Sequence, residues 1–230
     1  MRSSGIYKQL FGGNTLLKGG ASNNLIKLMY EKKEFLILVF ANLIVQLGIT
    51  YYIMEKTNNS NISILPLAIT QIIIIFVLIL VPMPEYIKFI IFCVFSYING
   101  IILSGLKKKY SSDIINTAIQ GALSVFGVMM AAGVALIAGG INLGYKFGAM
   151  LFWALLLLII TQLVFVLGAS MNQSHKILSF VGIIIFAVYV LYDTNKILQR
   201  NYSGDFITAS MDYYLDILNL FTNSLGSSNN

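Results

Sequence analysis

Long apolar runs separated by short polar breaks dominate this chain. They fall at residues 35–54, 62–81, 86–106, 114–138, 144–168 and 177–197, with a weaker run at 206–225. Each is roughly 20 residues, enough for an α-helix to cross the hydrocarbon core of a bilayer. Strands of an outer-membrane barrel would instead alternate with period two over short segments. Pro82 and Pro84 divide the second run from the third, Lys107, Lys108 and Lys109 end the third, and Asn172 to Lys176 separate the fifth from the sixth.

The last run differs in kind. Thr208, Asp212, Asp216, Asn219 and Asn223 recur at helical spacing and form one polar face, while Met211, Tyr214, Leu215, Leu218 and Phe221 cover much of the remainder. A central Asp costs about 2.5–3.5 kcal/mol to insert, against roughly 0.3–0.6 kcal/mol gained per Leu or Ile. This segment is therefore a poor independent span, and it calls for shelter by the other helices or for a partly re-entrant path. The pattern predicts an all-α integral membrane protein, a seven-helix bundle in which six helices surround a polar-striped C-terminal helix.

Composition sharpens this picture. The chain is 57% hydrophobic and 10% charged, where soluble domains carry about 25% charged residues. No sizeable soluble domain fits beside the apolar runs. The expected organisation is a polar, basic N-terminal tail over 1–34, a membrane domain over 35–225 and a short polar tail over 226–230. The net charge of +6 includes Arg2, Lys8, Lys18, Lys27, Lys32 and Lys33, all ahead of the first run. They fit a cytosolic tail under the positive-inside rule, and lack the density and folded platform of a nucleic-acid site. Lys107 to Lys109 then fall on the outer side, against the same rule.

Cysteine and histidine usage narrows the chemistry further. Cys93 stands alone, so a disulfide framework or a thiolate metal site within the chain is excluded, and it reads as a packing residue. With His175 as the single histidine, a zinc-dependent membrane hydrolase lacks ligands. His175 lies at the lipid boundary and reads as an interfacial anchor. Small residues recur every four positions at Gly127, Ala131, Ala135 and Gly139, and again at Gly140, Gly144 and Gly148, a spacing suited to close helix packing. Asn42, Gln46, Gln71, Asn99, Gln120 and Gln162 are expected to serve mainly as interhelical hydrogen-bond partners. No internal repeat supports an inverted-repeat transporter.

The strongest handle on function is Asp193, Asp212 and Asp216 in the last two runs. Ionisable groups within spanning segments are costly, and they usually face a bundle interior or an aqueous path. One alternative is purely structural, with the aspartates permanently protonated and bonding helix to helix. Intramembrane proteolysis is disfavoured, because Asp216 is followed by Ile217 and Leu218 rather than by a Gly-rich aspartate motif. The chain is not expected to be an enzyme.

Tyr192-Asp193-Thr194, followed by Tyr214-Leu215-Asp216-Ile217-Leu218-Asn219-Leu220-Phe221, resembles the paired signatures of the transmembrane Bax-inhibitor-motif family. Asn142-Leu143-Gly144 through Gly148, with Leu151 to Trp153, resembles the start of that family's fifth helix. Asn99-Gly100 with Leu103 and Gly105 resembles its third. The resemblance covers residues 35–225 and is strongest from 140 onward. It implies a seven-helix fold around the last helix and a pH-sensitive calcium leak. In eukaryotic or viral members it also implies protection from cell death. By the same resemblance Asp193 and Asp216 are the proton-sensing pair, and Asp212 is the additional aspartate of the Bax inhibitor branch. The second run offers no basic latch for the pair, and Lys88 is placed in a loop.

The chemistry of such a pair is direct. Two carboxyls in one dry site cannot easily both ionise, and they titrate as a unit. A shared proton would join the last two helices, and its loss would part them and admit water. Hard cations prefer carboxylate and carbonyl oxygens, which makes Asp212, Asp216 and Asn219 a candidate cation path and Asp193, Asp212 and Asp216 transient calcium ligands. Expected partners are the bilayer, calcium and protons, with no cofactor beyond calcium as the permeant ion. The competing readings are a non-conducting protein that binds cell-death regulatory membrane proteins, and a proton-coupled transporter. The expected membrane is of endoplasmic reticulum or Golgi type in a eukaryotic or viral setting, and the plasma membrane in a bacterium.

Overall fold

The computed structural model describes residues 21–57, 63–168, 172–200 and 202–228. Of the expected polar tails, residues 1–20 with Arg2, Lys8 and Lys18, and residues 229–230, lie outside the described residues. The described residues form eight α-helices and no strand. They are α1 (Ala21–Glu31), α2 (Lys33–Lys56), α3 (Ile64–Leu80), α4 (Glu85–Ser104), α5 (Ser112–Ala138), α6 (Tyr145–Gly168), α7 (Asn172–Gln199) and α8 (Phe206–Ser227). A 3-10 turn, Gly105–Lys108, extends α4. Helices α2 to α8 are the seven runs of the sequence. The end of the polar tail is itself helical, as α1.

Five helices, α2, α4, α5, α6 and α7, are long and apolar enough to span a bilayer, while α3 is a shorter apolar helix of 17 residues. Their outward faces are oily: Ile72, Ile73, Phe76 and Leu80 on α3, and Phe152, Trp153, Leu157 and Val164 on α6, are all exposed. An apolar exterior, with polar side chains held inside the bundle, is the arrangement expected of a multi-pass membrane protein.

Helix α8 lies at the centre of the packing and brings Ser210, Asp216 and Asn223 into the interior. Twelve of its 22 residues are buried, from Ile207 to Leu225 and on several faces. It packs chiefly against α7, α5 and α2, and less against α4, whereas α3 leans on α4 and α6 leans on α7. The enclosing wall is thus layered rather than a ring of six equal neighbours. Helix α8 is one continuous helix running antiparallel to α7. Near the start of α7, a side chain added at Gly182 would strike Asn223, and one added at Gly226 would strike Ser179.

A buried polar network ties α8 to α2 and α4. Asn42 Nδ2 donates to Ser210 Oγ at 2.5 Å, Gln46 Nε2 to Asn42 Oδ1 at 3.0 Å, and Ser96 Oγ to Gln46 Oε1 at 2.7 Å. The Tyr214 hydroxyl lies 2.6 Å from Thr50 Oγ1, and its ring packs edge-on to Phe92 with centroids 5.3 Å apart. Asn42 and Gln46 therefore act between helices as expected. Asn99 donates to Phe95 O within its own helix and also lies in hydrogen-bonding reach of the Tyr214 hydroxyl of α8, whereas Gln120 is exposed and Gln71 Nε2 is buried with no partner among the described residues.

The small-residue rows mark a close helix contact only at Gly148. Ala131 and Ala135 face outward, and nothing lies within 4 Å of where a side chain at Gly127 or Gly144 would begin. Close approach on α5 instead occurs at Gly133, where a Cβ would stand 2.8 Å from Thr194 Cβ and 2.9 Å from Leu191 O. Gly148 does fit the expectation, since its missing side chain leaves room for the Tyr192 ring. Four-residue spacing identifies a face, and only packing decides whether that face meets a helix or the outside.

Basic side chains pin the rim where α2, α4, α6 and α8 begin and α7 ends. Lys32 Nζ donates to Ile197 O at 2.9 Å and Arg200 O at 2.5 Å, satisfying carbonyls at the end of α7. Arg200 Nη2 donates to Leu143 O at 3.0 Å ahead of α6. Lys88, assigned to a loop from sequence, lies in the first turn of α4 and bonds to Asp205 and to Thr208 Oγ1. Asp205 also caps α8, accepting from Thr208 N–H at 3.0 Å. On the opposite rim Lys107 Nζ donates to Glu55 O at 2.8 Å, so part of the lysine run closes the end of α2.

Two predictions follow from this packing. Gly133→Ala should destabilise the purified protein by about 1–3 kcal/mol through overpacking, while Gly127→Ala should be neutral or slightly stabilising; equal melting temperatures for the two variants would refute the assigned contact. The second concerns Asp205. Burial disfavours its charge, but hydrogen bonds from Lys88 and Thr208 outweigh this and hold the carboxyl below the ordinary carboxylate range. A lowered folded value gives stability that is present above the unfolded pKa, about 4, and is lost as pH falls through the folded one. The stability advantage of wild type over Asp205→Asn should therefore be steady from neutral pH to about 5 and shrink below about 4. An advantage that grew on acidification would contradict the clamp.

Candidate functional site

Four consecutive residues near the end of α7 point in four directions, as a helix of 3.6 residues per turn requires. Tyr192 turns toward α6, where its hydroxyl accepts from Arg200 Nη1 at 3.1 Å and its ring sits 5.9 Å from that of Phe147. Thr194 fills the space at Gly133 on α5 and accepts from the Tyr213 hydroxyl of α8 at 3.0 Å. Asn195 holds the connection from α5 to α6, its Oδ1 accepting from Leu143 N–H at 2.9 Å and its Nδ2 donating to Ile141 O at 3.0 Å. Asp193 is left facing α8. All four are buried.

On α8 the partners are Asp212 and Asp216, one helical turn apart. The carboxyls of Asp216 and Asp193 meet in hydrogen-bonding reach. Asp216 is 4% exposed, and its Oδ2 is enclosed without a donor among the described residues. Asp212 sits nearer the rim. Its Oδ2 accepts from Lys196 Nζ at 2.6 Å and from the Tyr202 hydroxyl at 2.9 Å. Lys196 Nζ also stands 3.6 Å from Asp193 Oδ1 and 5.3 Å from the centre of the Tyr202 ring. Tyr189 lies one turn before Asp193 on α7, its ring 6.0 Å from that of Phe186. Tyr213 closes the side toward α2 and α5, its ring 5.9 Å from that of Phe40 and 5.1 Å from that of Phe126.

The structure thus brings together Asp193 and Asp216, and couples Asp212 to Asp193 through Lys196. Asn219 stands apart. Its Nδ2 donates to Leu215 O at 2.8 Å, and its side chain lines a cavity of about 350 Å³ with Gln162, Ser179, Phe186 and Asn223. Among the described residues no three acidic, histidine or cysteine side chains form a ready-made cage for a metal ion. His175 is exposed at the start of α7, away from the carboxylates.

Two participants escaped sequence reasoning. Lys196 follows Asp193 by three residues, a spacing that places both on one face of a helix, so its signal was available. The basic partner of the carboxylates comes from the same helix as Asp193. Tyr202 gave no sequence signal, because it lies in the turn between α7 and α8, outside any helical register.

Residues 31–226 match the family described as Inhibitor of apoptosis-promoting Bax1. Among individual relatives, Bax inhibitor 1 of Schizosaccharomyces pombe is 31% identical over 154 residues, 66% of this chain and 55% of that protein. Protein LIFEGUARD 1 of Arabidopsis thaliana is 31% identical over 116 residues, 49% of this chain and 47% of the relative. The Golgi anti-apoptotic protein of Vaccinia virus (strain Lister) is 38% identical over 82 residues, 35% of this chain and 33% of the viral protein. The matched stretches span between a third and just over half of these relatives' lengths. The family match, by contrast, takes in every helix from α2 to α7 and α8 up to Gly226, and the chain belongs to the Bax inhibitor family.

Proposed function

We propose that the protein is a calcium leak whose closed state is held by one proton shared between Asp193 and Asp216. The observation that carries this reading is the enclosed, donorless Asp216 Oδ2 beside a second carboxyl. Two ionised carboxylates offer only acceptors and repel at short range. A single proton makes one of them a donor, satisfies the other, and joins α7 to α8. When that proton leaves, repulsion separates the helices and water enters. Asp193, Asp212 and Asp216 then offer a hard cation its preferred oxygens, with Asn219 further along α8 toward the polar cavity. Calcium is the cargo in this scheme, and passes through a site assembled only on opening.

The biological setting proposed for this leak is a membrane of endoplasmic reticulum or Golgi type, where it lowers stored calcium and restrains cell death. Support comes from the names of the fission-yeast and viral relatives. The viral relative's anti-apoptotic name also favours a second reading, in which the chain conducts nothing and acts by binding cell-death regulatory membrane proteins.

Calcium flux through the purified chain in liposomes, across a pH series, separates the two. The leak predicts flux above that of empty vesicles, rising with pH, and Asp216→Asn should abolish that dependence and hold the flux low. Flux unchanged by Asp216→Asn in both size and pH profile would overturn the gate. A wild-type chain with no flux above background would leave the partner-binding reading in its place.

A further inference from the structure

Among the described residues, Lys196 is the one basic side chain in ion-pair contact with Asp193 and Asp212. Its ammonium bridges Asp212 Oδ2 on α8 at 2.6 Å and Asp193 Oδ1 on α7 at 3.6 Å, against the face of Tyr202. The neighbouring cation, Arg200, directs its guanidinium elsewhere, to the Tyr192 hydroxyl and Leu143 O, and stacks 4.1 Å from the Tyr145 ring centre. Two carboxylates therefore share one contacting ammonium, and behind them Asp216 Oδ2 is buried with no partner among the described residues. Carboxylate oxygens from two helices, facing one cation, are also the donor set that a free hard cation would choose.

We propose that Lys196 is a tethered cation that occupies the carboxylate cluster of the closed protein and competes with the permeant divalent ion for it. The ammonium is attached to the same helix as Asp193, so it meets the cluster at the high effective concentration of any linked ligand. A calcium ion must displace it from both Asp193 and Asp212, and two charges then neutralise a cluster that Lys196 neutralises only in part. The side chain can leave without unfolding anything: it is 26% exposed, and a four-carbon stem lets its head swing toward the rim. Lys196 thereby sets how much calcium is needed to fill the site. This inference rests on the calcium reading above, and adds that the selectivity of the cluster depends on an internal competitor.

Equilibrium binding tests it apart from conduction. Terbium luminescence excited through tyrosine, with calcium as competitor, is measured on the purified full chain. Lys196→Met should bind calcium about tenfold more tightly than wild type, the factor expected for losing one charge-assisted competitor. Lys196→Arg, which keeps the charge, should stay near wild type, and Asp212→Asn added to Lys196→Met should cancel the gain. Melting temperatures establish that each variant is folded, and Lys196→Gln replaces Lys196→Met if the latter is not. Calcium affinity that is unchanged or weaker in the neutral variant, or raised as much by Lys196→Arg, would overturn the proposal. Absence of liposome flux in wild type would sink the leak reading while the binding result still decides the role of Lys196.

Discussion

Holding carboxylates away from water, between two helices that could otherwise separate, is the constraint on which the bundle depends. Each aspartate placed in a span carries an insertion cost of about 2.5–3.5 kcal/mol, so α8 persists only where other helices enclose it. That enclosure is built from close contacts around α7: Thr194 against Gly133 of α5, Asn223 of α8 against Gly182, and Ser179 against Gly226 of α8. The Tyr213 hydroxyl bonded to Thr194 fixes how α8 is rotated, and with it the direction of Asp216. Loosening any of these would let water reach a group that the fold otherwise keeps dry.

The charged side chains divide into two sets with different physical tasks. Lys32, Lys88, Arg200 and Lys107 lie at helix ends and satisfy carbonyls, caps or turns there. They stabilise connections and contribute little to the interior. Lys196 and the aspartates form the other set, deeper between α7 and α8. Removing one member of a buried pair leaves an uncompensated charge, which is far costlier than replacing the whole group by apolar residues. So expensive an arrangement is understandable if the charges act.

Much of this was legible in the sequence, and the limits have physical causes. Apolar runs mark helices because lipid imposes a length, so helices α2 to α8 fall close to the seven apolar runs. The polar stripe of α8 predicted shelter by other helices, and the helix is buried on several faces, with Asp216 and Asn223 buried and Thr208, Asp212 and Asn219 half-buried. Helical spacing cannot say which neighbour a face meets, which is why the row at Gly127, Ala131 and Ala135 points outward while the contact forms at Gly133. Contacts between distant segments, such as Lys88 with Asp205 or Lys32 with Arg200, carry no local pattern at all. Lys196 was readable from its spacing to Asp193, yet a lysine at the end of an apolar run is ordinarily an interfacial anchor.

Infrared difference spectroscopy of the reconstituted protein, following carboxyl C=O stretching through a pH titration, addresses the shared proton most directly. One protonated-carboxyl band that titrates in a single step, and is lost in both Asp193→Asn and Asp216→Asn, is the result the account predicts. A band that survives either substitution, or two bands titrating independently, would contradict it.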